Sequence, residues 1–250
     1  MELTVLGAQG TWPGAGGENC GYLLSDDGYH LWMDAGTGTF ARLQQVIPVD
    51  HVGAMLITHG HPDHFVDIIP TFYARHYGGL GQPGLPLWSP GGFTDIVAAL
   101  VAENGRNVMA EAYAFHTAAA GEPFELGPFR ITPFEMVHIG VLTLGYRVES
   151  GDAVLSYTGD TGPCEAAVAL AKDADLFLCE ATYQKASRLF PFHLSAAQAG
   201  EVATQAGAHH LVLTHLTPEL DHRVSIREAA DTFDGPIDIA VPGMVLEVGR

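Results

Sequence analysis

The sequence predicts an α/β protein, and three observations carry that expectation. Apolar runs of strand length recur along the chain, helix-start signals lie between them, and residues able to bind metal follow the runs directly. The clearest case is Ala54-Met55-Leu56-Ile57, succeeded at once by Thr58-His59-Gly60-His61-Pro62-Asp63-His64. A run of that length reads as a buried strand. The polar cluster therefore occupies the loop leaving the strand's C-terminal end, where α/β proteins carry their chemistry. Neutral imidazole nitrogen and carboxylate oxygen suit a borderline divalent ion such as zinc. A lone histidine is usually a packing or surface residue; three with an aspartate at this density point to a metal site.

The other elements follow the same logic in chain order. Leu3-Thr4-Val5-Leu6 is strand-like, and no basic, apolar signal region precedes it. Gly78 to Gly84 reads as a flexible loop, and no linker or low-complexity tract divides residues 1–250, so a single domain is expected. His138 ends the run from Phe129 to Val137, and Asp160 follows the run Val154 to Tyr157. Pro163 suits the first turn of a helix over Glu165 to Lys172. Leu176 to Cys179 runs into Glu180, and Leu211 to Thr214 into His215. Ser195 and Gln198 have capping-box spacing, which puts His193 on the loop entering a helix. Each residue alone reads as an ordinary loop histidine or turn acid; together they place ligands at one edge.

With 47% hydrophobic residues the chain can build a sizeable core, which argues against disorder. No stretch approaches a membrane span. Cys20, Cys164 and Cys179 form no CxxC pair and suit reduced thiols in the cytoplasm. Eleven basic against 29 acidic residues give a net charge of −18, which opposes nucleic acid and anionic membranes as partners.

These residues resemble the metallo-β-lactamase superfamily, and within it the ribonuclease Z-like phosphodiesterase branch, over almost the whole chain. The resemblance rests on His59, His61, Asp63 and His64 as His-x-His-x-Asp-His, then on His138, Gly159-Asp160 and Thr214-His215. Leu6-Gly7 and Asp34-Ala35-Gly36 look like the family's first strand and its structural aspartate. The likeness implies a four-layer αβ/βα sandwich with two divalent ions at one edge. His59, His61 and His138 would hold one ion, Asp63, His64 and His215 the other, and Asp160 would bridge them. Zinc is the favoured metal, with Mn²⁺ or Fe²⁺ also compatible with the donors, and the branch implies a homodimer.

Two such ions, about 3.5–4 Å apart, share a water as hydroxide and neutralise charge on a phosphoryl oxygen. Asp63 could also orient that hydroxide. The branch carries a general-acid histidine before a similar helix start, and His193 matches it; Glu180 could orient His193 by a hydrogen bond. Asp63, His193 and Glu180 are thus the candidate catalytic residues.

The chain departs from true ribonuclease Z in lacking the long tRNA-gripping arm between the single histidine and the Gly-Asp pair. Residues 139–159 read as one hairpin. With the acidic charge, this favours hydrolysis of a small phosphodiester, plausibly cyclic AMP, over tRNA 3′ processing. The alternatives are a ribonuclease Z-type endonuclease, a lactone or thioester hydrolase, or a silent metal-stabilised interaction module. His30, His51, His76, His116, His209 and His210 read as surface or packing residues, and Lys185 and Arg188 as candidate cations for a phosphate. Residues 21–36 and 145–160 form a weak echo, each reading strand, turn, strand.

Overall fold

The computed structural model describes residues 1–101, 104–185 and 190–249; Arg188 lies outside them. The first half of the chain contributes strands β1 (Glu2–Gly7), β2 (Gly21–Asp26), β3 (Tyr29–Met33), β4 (Val52–Leu56), β5 (Leu85–Ser89) and β6 (Tyr113–Thr117). Among them run helices α1 (Thr39–Val46), α2 (Pro62–Phe65), α3 (Ile68–His76), α4 (Phe93–Val101) and α5 (Gly105–Met109). The second half adds β7 (Phe124–Leu126), β8 (Phe129–Met136), β9 (Thr143–Ser150), β10 (Ala153–Tyr157), β11 (Leu176–Glu180), β12 (Leu211–Thr214), β13 (Ile237–Ile239) and β14 (Val245–Glu247). Its helices are α6 (Glu165–Leu170), α7 (Ala196–Ala206) and α8 (His222–Ala230).

The strands form two seven-stranded sheets, ordered β14-β1-β2-β3-β4-β5-β6 and β13-β12-β11-β10-β9-β8-β7. Their pairing senses match strand for strand: three antiparallel pairs, then three parallel ones. The echo in the sequence marks the centre of this correspondence, since β2–β3 and β9–β10 are equivalent hairpins.

Central strands are buried on both faces, which is why they read as unbroken apolar runs rather than alternating ones. In β4, Ala54 and Leu56 join the core between the sheets, while Met55 points to the helices outside. In β11, Leu176 and Leu178 turn inward and Phe177 and Cys179 outward. Three apolar layers result, one between the sheets and one under each helical face, giving the αβ/βα sandwich. Ser195 caps α7 by accepting from Gln198 N–H, and Gln198 returns the bond, as its spacing predicts. Pro163 lies outside the helix: Cys164 occupies the N-cap position of α6 without a side-chain capping bond, so the proline stands two residues before the first helical one, and the helix ends at Leu170. The proline still fits because no helical partner for its missing N–H is needed there.

Candidate metal centre

Parallel pairing decides which side chains meet. Strands β4, β8, β10, β11 and β12 all point the same way within their sheets, so the residues after their C-terminal ends gather at one edge of the sandwich. Cross-sheet bonds close this edge: Leu144 N–H donates to Thr58 O at 2.9 Å, and Tyr146 hydroxyl to Ile57 O at 2.8 Å.

There two donor groups converge. His59 Nε2 lies 3.1 Å and His138 Nε2 3.0 Å from His61 Nδ1. On the other side, His215 Nε2 lies 3.3 Å and His64 Nε2 3.7 Å from Asp63 Oδ2. Asp160 stands between. Its Oδ2 is 3.8 Å from His59 and 3.6 Å from His138, while its Oδ1 is 3.1 Å from His64 and 3.3 Å from His215. The structure thus brings His59, His61 and His138 together on one side and Asp63, His64 and His215 on the other, the residues that the resemblance assigns to two ions, with Asp160 close to both sets.

In His59, His64, His138 and His215 the far nitrogen is tethered, which fixes which atom faces the cluster. His64 Nδ1 donates to the buried Asp34 carboxylate at 2.8 Å. Asp34 also accepts from the Thr58 N–H and hydroxyl and from the Tyr157 hydroxyl. Thr58 Oγ in turn sits 3.1 Å from His59 Nδ1. His138 Nδ1 donates to Phe192 O at 3.0 Å, and His215 Nδ1 to Thr182 Oγ at 2.7 Å. His215 adopts a left-handed backbone, φ 55°. It lies so close to Gly10 that a Cβ there would stand 2.5 Å from its Nδ1.

His193 completes the edge. Its Nδ1 donates to Glu180 Oε1 at 2.9 Å, and its Nε2 has no hydrogen-bond partner among the described residues. Glu180 is fully buried and held by Thr161 N–H at 2.7 Å and Thr182 hydroxyl at 2.8 Å. A cavity of about 350 Å³ opens onto Thr11, His61, Asp63, His138, Asp160 and His193. A larger one, about 780 Å³, lies between α6 and α7 and contains none of the cluster.

The electrostatics are those of a site built for cations. Burial pushes His59 down, and His64 pushes it further. Burial would raise Asp160, but His215 and His64 outweigh it and hold the carboxyl well below its ordinary range. Burial opposes a charge on His64, yet Asp160, Asp34 and Asp63 raise it well above an ordinary histidine. Two atoms of the cluster are buried without a hydrogen-bond partner among the described residues, His64 Nε2 and Asp160 Oδ1. Such orphans are costly, and both face the group formed by Asp63, His64, Asp160 and His215. Divalent ions fit this cluster: the donors are imidazole and carboxylate, and the orphaned atoms are the ones an ion would satisfy.

A proton on His64 competes with metal, so affinity is expected to fall as pH drops. Chelation has a second consequence. An ion held at a thousandfold excess over its Kd stabilises the fold by about 4 kcal/mol. Stripping the metal should lower Tm by roughly 8–16 °C for a domain of this size. Differential scanning fluorimetry before and after chelation checks this; an unchanged Tm would mean the cluster needs no ion to hold together.

Sequence reading named every donor in the two groups and, through the family resemblance, the support Asp34, but not the other supports. Thr58, Tyr157 and Thr182 escaped it, as did Thr11, whose N–H donates to Asp63 Oδ2 at 2.8 Å. Cys20 also escaped notice, although its Sγ lies within 4.8 Å of ring nitrogens of His64 and His215. Burial pushes its thiol up to about 12 against the pull of His64, so it stays protonated. Lys185 turns away to Asp231, at 2.5 Å.

Asp34 tests the support. Its φ of 54° is one that Asn tolerates as Asp does, so Asp34→Asn changes chemistry without backbone strain. The amide would confront several donors with a donor of its own. The expected cost is about 2–4 kcal/mol of stability and roughly 10–100-fold in metal affinity, read by denaturant unfolding and metal titration. Unchanged affinity would deny Asp34 its part in orienting His64.

The fold and the histidine–aspartate cluster are those of a metallo-hydrolase. The chain belongs to the β-lactamase superfamily, whose domain model matches residues 29–216. It is similar to the probable metallo-hydrolase YhfI of Bacillus subtilis, 31% identical across 99% of this chain and 100% of that protein. The YhfI crystal structure, described as a metallo-β-lactamase fold protein, superposes with a TM-score of 0.88, covering 98% of this chain and 99% of that one. An uncharacterized protein of Mycobacterium tuberculosis, Rv1339, is 34% identical across 100% of this chain and 93% of its own length. A ribonuclease Z of Mycobacterium sp. (strain KMS) is 28% identical, over 88% of this chain and 85% of that protein.

Proposed function

We propose that the protein is a dinuclear metal-dependent hydrolase of small phosphodiesters, a cyclic nucleotide such as cyclic AMP being the favoured substrate. The observation that carries the reading is His193, set at the cavity edge with one nitrogen on the buried Glu180 and the other without a partner among the described residues. Cleavage of a phosphodiester expels an alkoxide that needs a proton, and an imidazolium in this position supplies it. Burial opposes the charged ring, but Glu180 prevails and pushes it up to about 9, so His193 carries its proton through neutral pH.

His59, His61, His138 and Asp160 would hold one ion, and Asp63, His64, His215 and Asp160 the other. Bound there, divalent ions of the zinc, manganese or iron type supply Lewis acidity and an activated water. The chain's own residues do the rest. Asp63, with Oδ2 held by Thr11 N–H, orients the attacking oxygen. Glu180, buried away from the cavity, positions His193 and keeps it charged. Three free cysteines support a reducing, cytoplasmic setting.

Small substrates are favoured because residues 139–159 hold a short loop and strand β9 followed by the turn into β10, with no extended arm. The net charge of −18 works against a polyanion. Likeness to a ribonuclease Z keeps tRNA cleavage as the second reading. The test is turnover by metal-loaded protein of bis-p-nitrophenyl phosphate, cyclic AMP, 2′,3′-cyclic nucleotides and a tRNA precursor in parallel. Preferred hydrolysis of the small diesters supports the proposal. Efficient tRNA cleavage with a steep salt dependence, or turnover of lactones and thioesters alone, would replace it.

A further inference from the structure

The loop carrying the first histidines has a second side. Gly60, between His59 and His61, lies against the first turn of α4, where a Cβ would come within 2.6 Å of Ile96 Cδ1. Between that turn and the loop following His138 is another cavity, of about 200 Å³. Its side chains are Pro90, Phe93, Ile96, Val141 and Leu142, and the rest of its wall is glycine. No side chain on that wall is charged or able to form a hydrogen bond.

This cavity and the metal cavity are built from the same two loops. One is walled by Gly60 and by Gly140 to Leu142, the other by His61 to Asp63 and by His138 and Ile139. The floor is firm. Phe93 is 2% exposed and meets Phe65, the residue after His64, edge-on at 5.3 Å. The rim is not covered: Leu142 is 45% and Ile96 38% exposed. An apolar recess left open beside a reactive centre is suited to a ligand group rather than to water.

We propose that this recess is a specificity subsite for one uncharged apolar or planar substituent of the substrate. Whole small-molecule sites span roughly 300–1,000 Å³, so the recess takes a single ring or short alkyl group. His193 borders the metal cavity and not the recess. The group held here is therefore the one retained on phosphorus, while the expelled group lies toward His193. The assignment of retained and expelled groups rests on the phosphodiester reading above.

The test uses metal-loaded protein with phenyl p-nitrophenyl phosphate and methyl p-nitrophenyl phosphate, which share charge and leaving group. The phenyl ester should be preferred at least about tenfold in kcat/KM, chiefly through KM. Leu142→Trp fills the recess from its rim and should bring the ratio of the two esters close to one. Comparing this ratio between variant and parent cancels the esters' intrinsic difference in reactivity. An unchanged ratio, with Tm and metal content intact, would overturn the subsite.

Should the variant fold poorly, inhibition of the parent protein by phenylphosphonate and methylphosphonate decides instead. About tenfold tighter binding of the phenyl compound is expected, and equal inhibition constants would overturn the subsite. If neither diester turns over while p-nitrophenyl carboxylates do, the phosphodiester reading fails. Direct binding of the two phosphonates, measured by calorimetry, then still judges the recess.

Discussion

Asp160→Ala should lower kcat/KM by about 10⁴-fold or more, equivalent to about 5 kcal/mol of transition-state stabilisation. Among the described residues no other side chain sends one oxygen to each donor group. Oδ2 faces the His59 and His138 side, and Oδ1 the His64 and His215 side. The variant should also bind no more than one ion per chain, because each group loses its shared carboxylate. Metal analysis after gel filtration checks this, and two retained ions with near-normal turnover would remove Asp160 from the bridging position. Asp160 is 2% exposed, so unfolding after mutation must be distinguished from metal loss. Far-ultraviolet circular dichroism makes that distinction.

His193→Ala should cost roughly 10²–10⁴-fold in turnover of a diester with an alkoxide leaving group. With p-nitrophenolate, which leaves without a proton, the loss should be far smaller, and metal content should not change. This dependence on the leaving group separates a proton donor from a residue that merely lines the cavity. An equal loss on both substrates would refute the general-acid role. The pH profile gives the sign. The protonated ring is the active one, so activity falls as pH rises through its pKa. Glu180→Gln removes the carboxylate that raises His193, and the alkaline limb should move to lower pH. A limb that stays in place would mean that Glu180 only supports the fold.

The sequence and the structure agree most closely where chemistry is dense or sits at a strand end. His59 to His64 stand out by spacing alone. His138, Asp160 and His215 are legible because each follows a strand-like run, alternating before His138 and mainly apolar before Asp160 and His215. Glu180 and His193 are legible for related reasons, one ending such a run and the other preceding a capping box.

The supports depend on pairing, so all but Asp34, which family likeness marks, are hidden. Asp34 reaches His64 only because β3 lies parallel to β4, and Thr182 serves Glu180 and His215 together only because β11 lies beside β12. Nothing local distinguishes those hydroxyls from other threonines. The face-to-face sandwich is similarly obscure. Strands buried on both sides lose the alternation that would tell inner from outer faces, so the four-layer arrangement came from family likeness rather than from periodicity. Pro163 reads as a first-turn residue yet stands two positions before the first helical one, because proline suits the residue before a cap nearly as well as the first helical one.

The pairing of β1 with β14 bears on how the chain acquires its shape. Met1 O accepts from Val248 N–H at 2.9 Å, and Glu2 to Thr4 align with Glu247 to Val245. During synthesis, β1 waits with one edge open until all of the second sheet has been translated. Contacts of such separation slow folding, and an unsatisfied strand edge invites pairing with other chains. A nascent chain released before β14 should therefore aggregate rather than rest as a folded half.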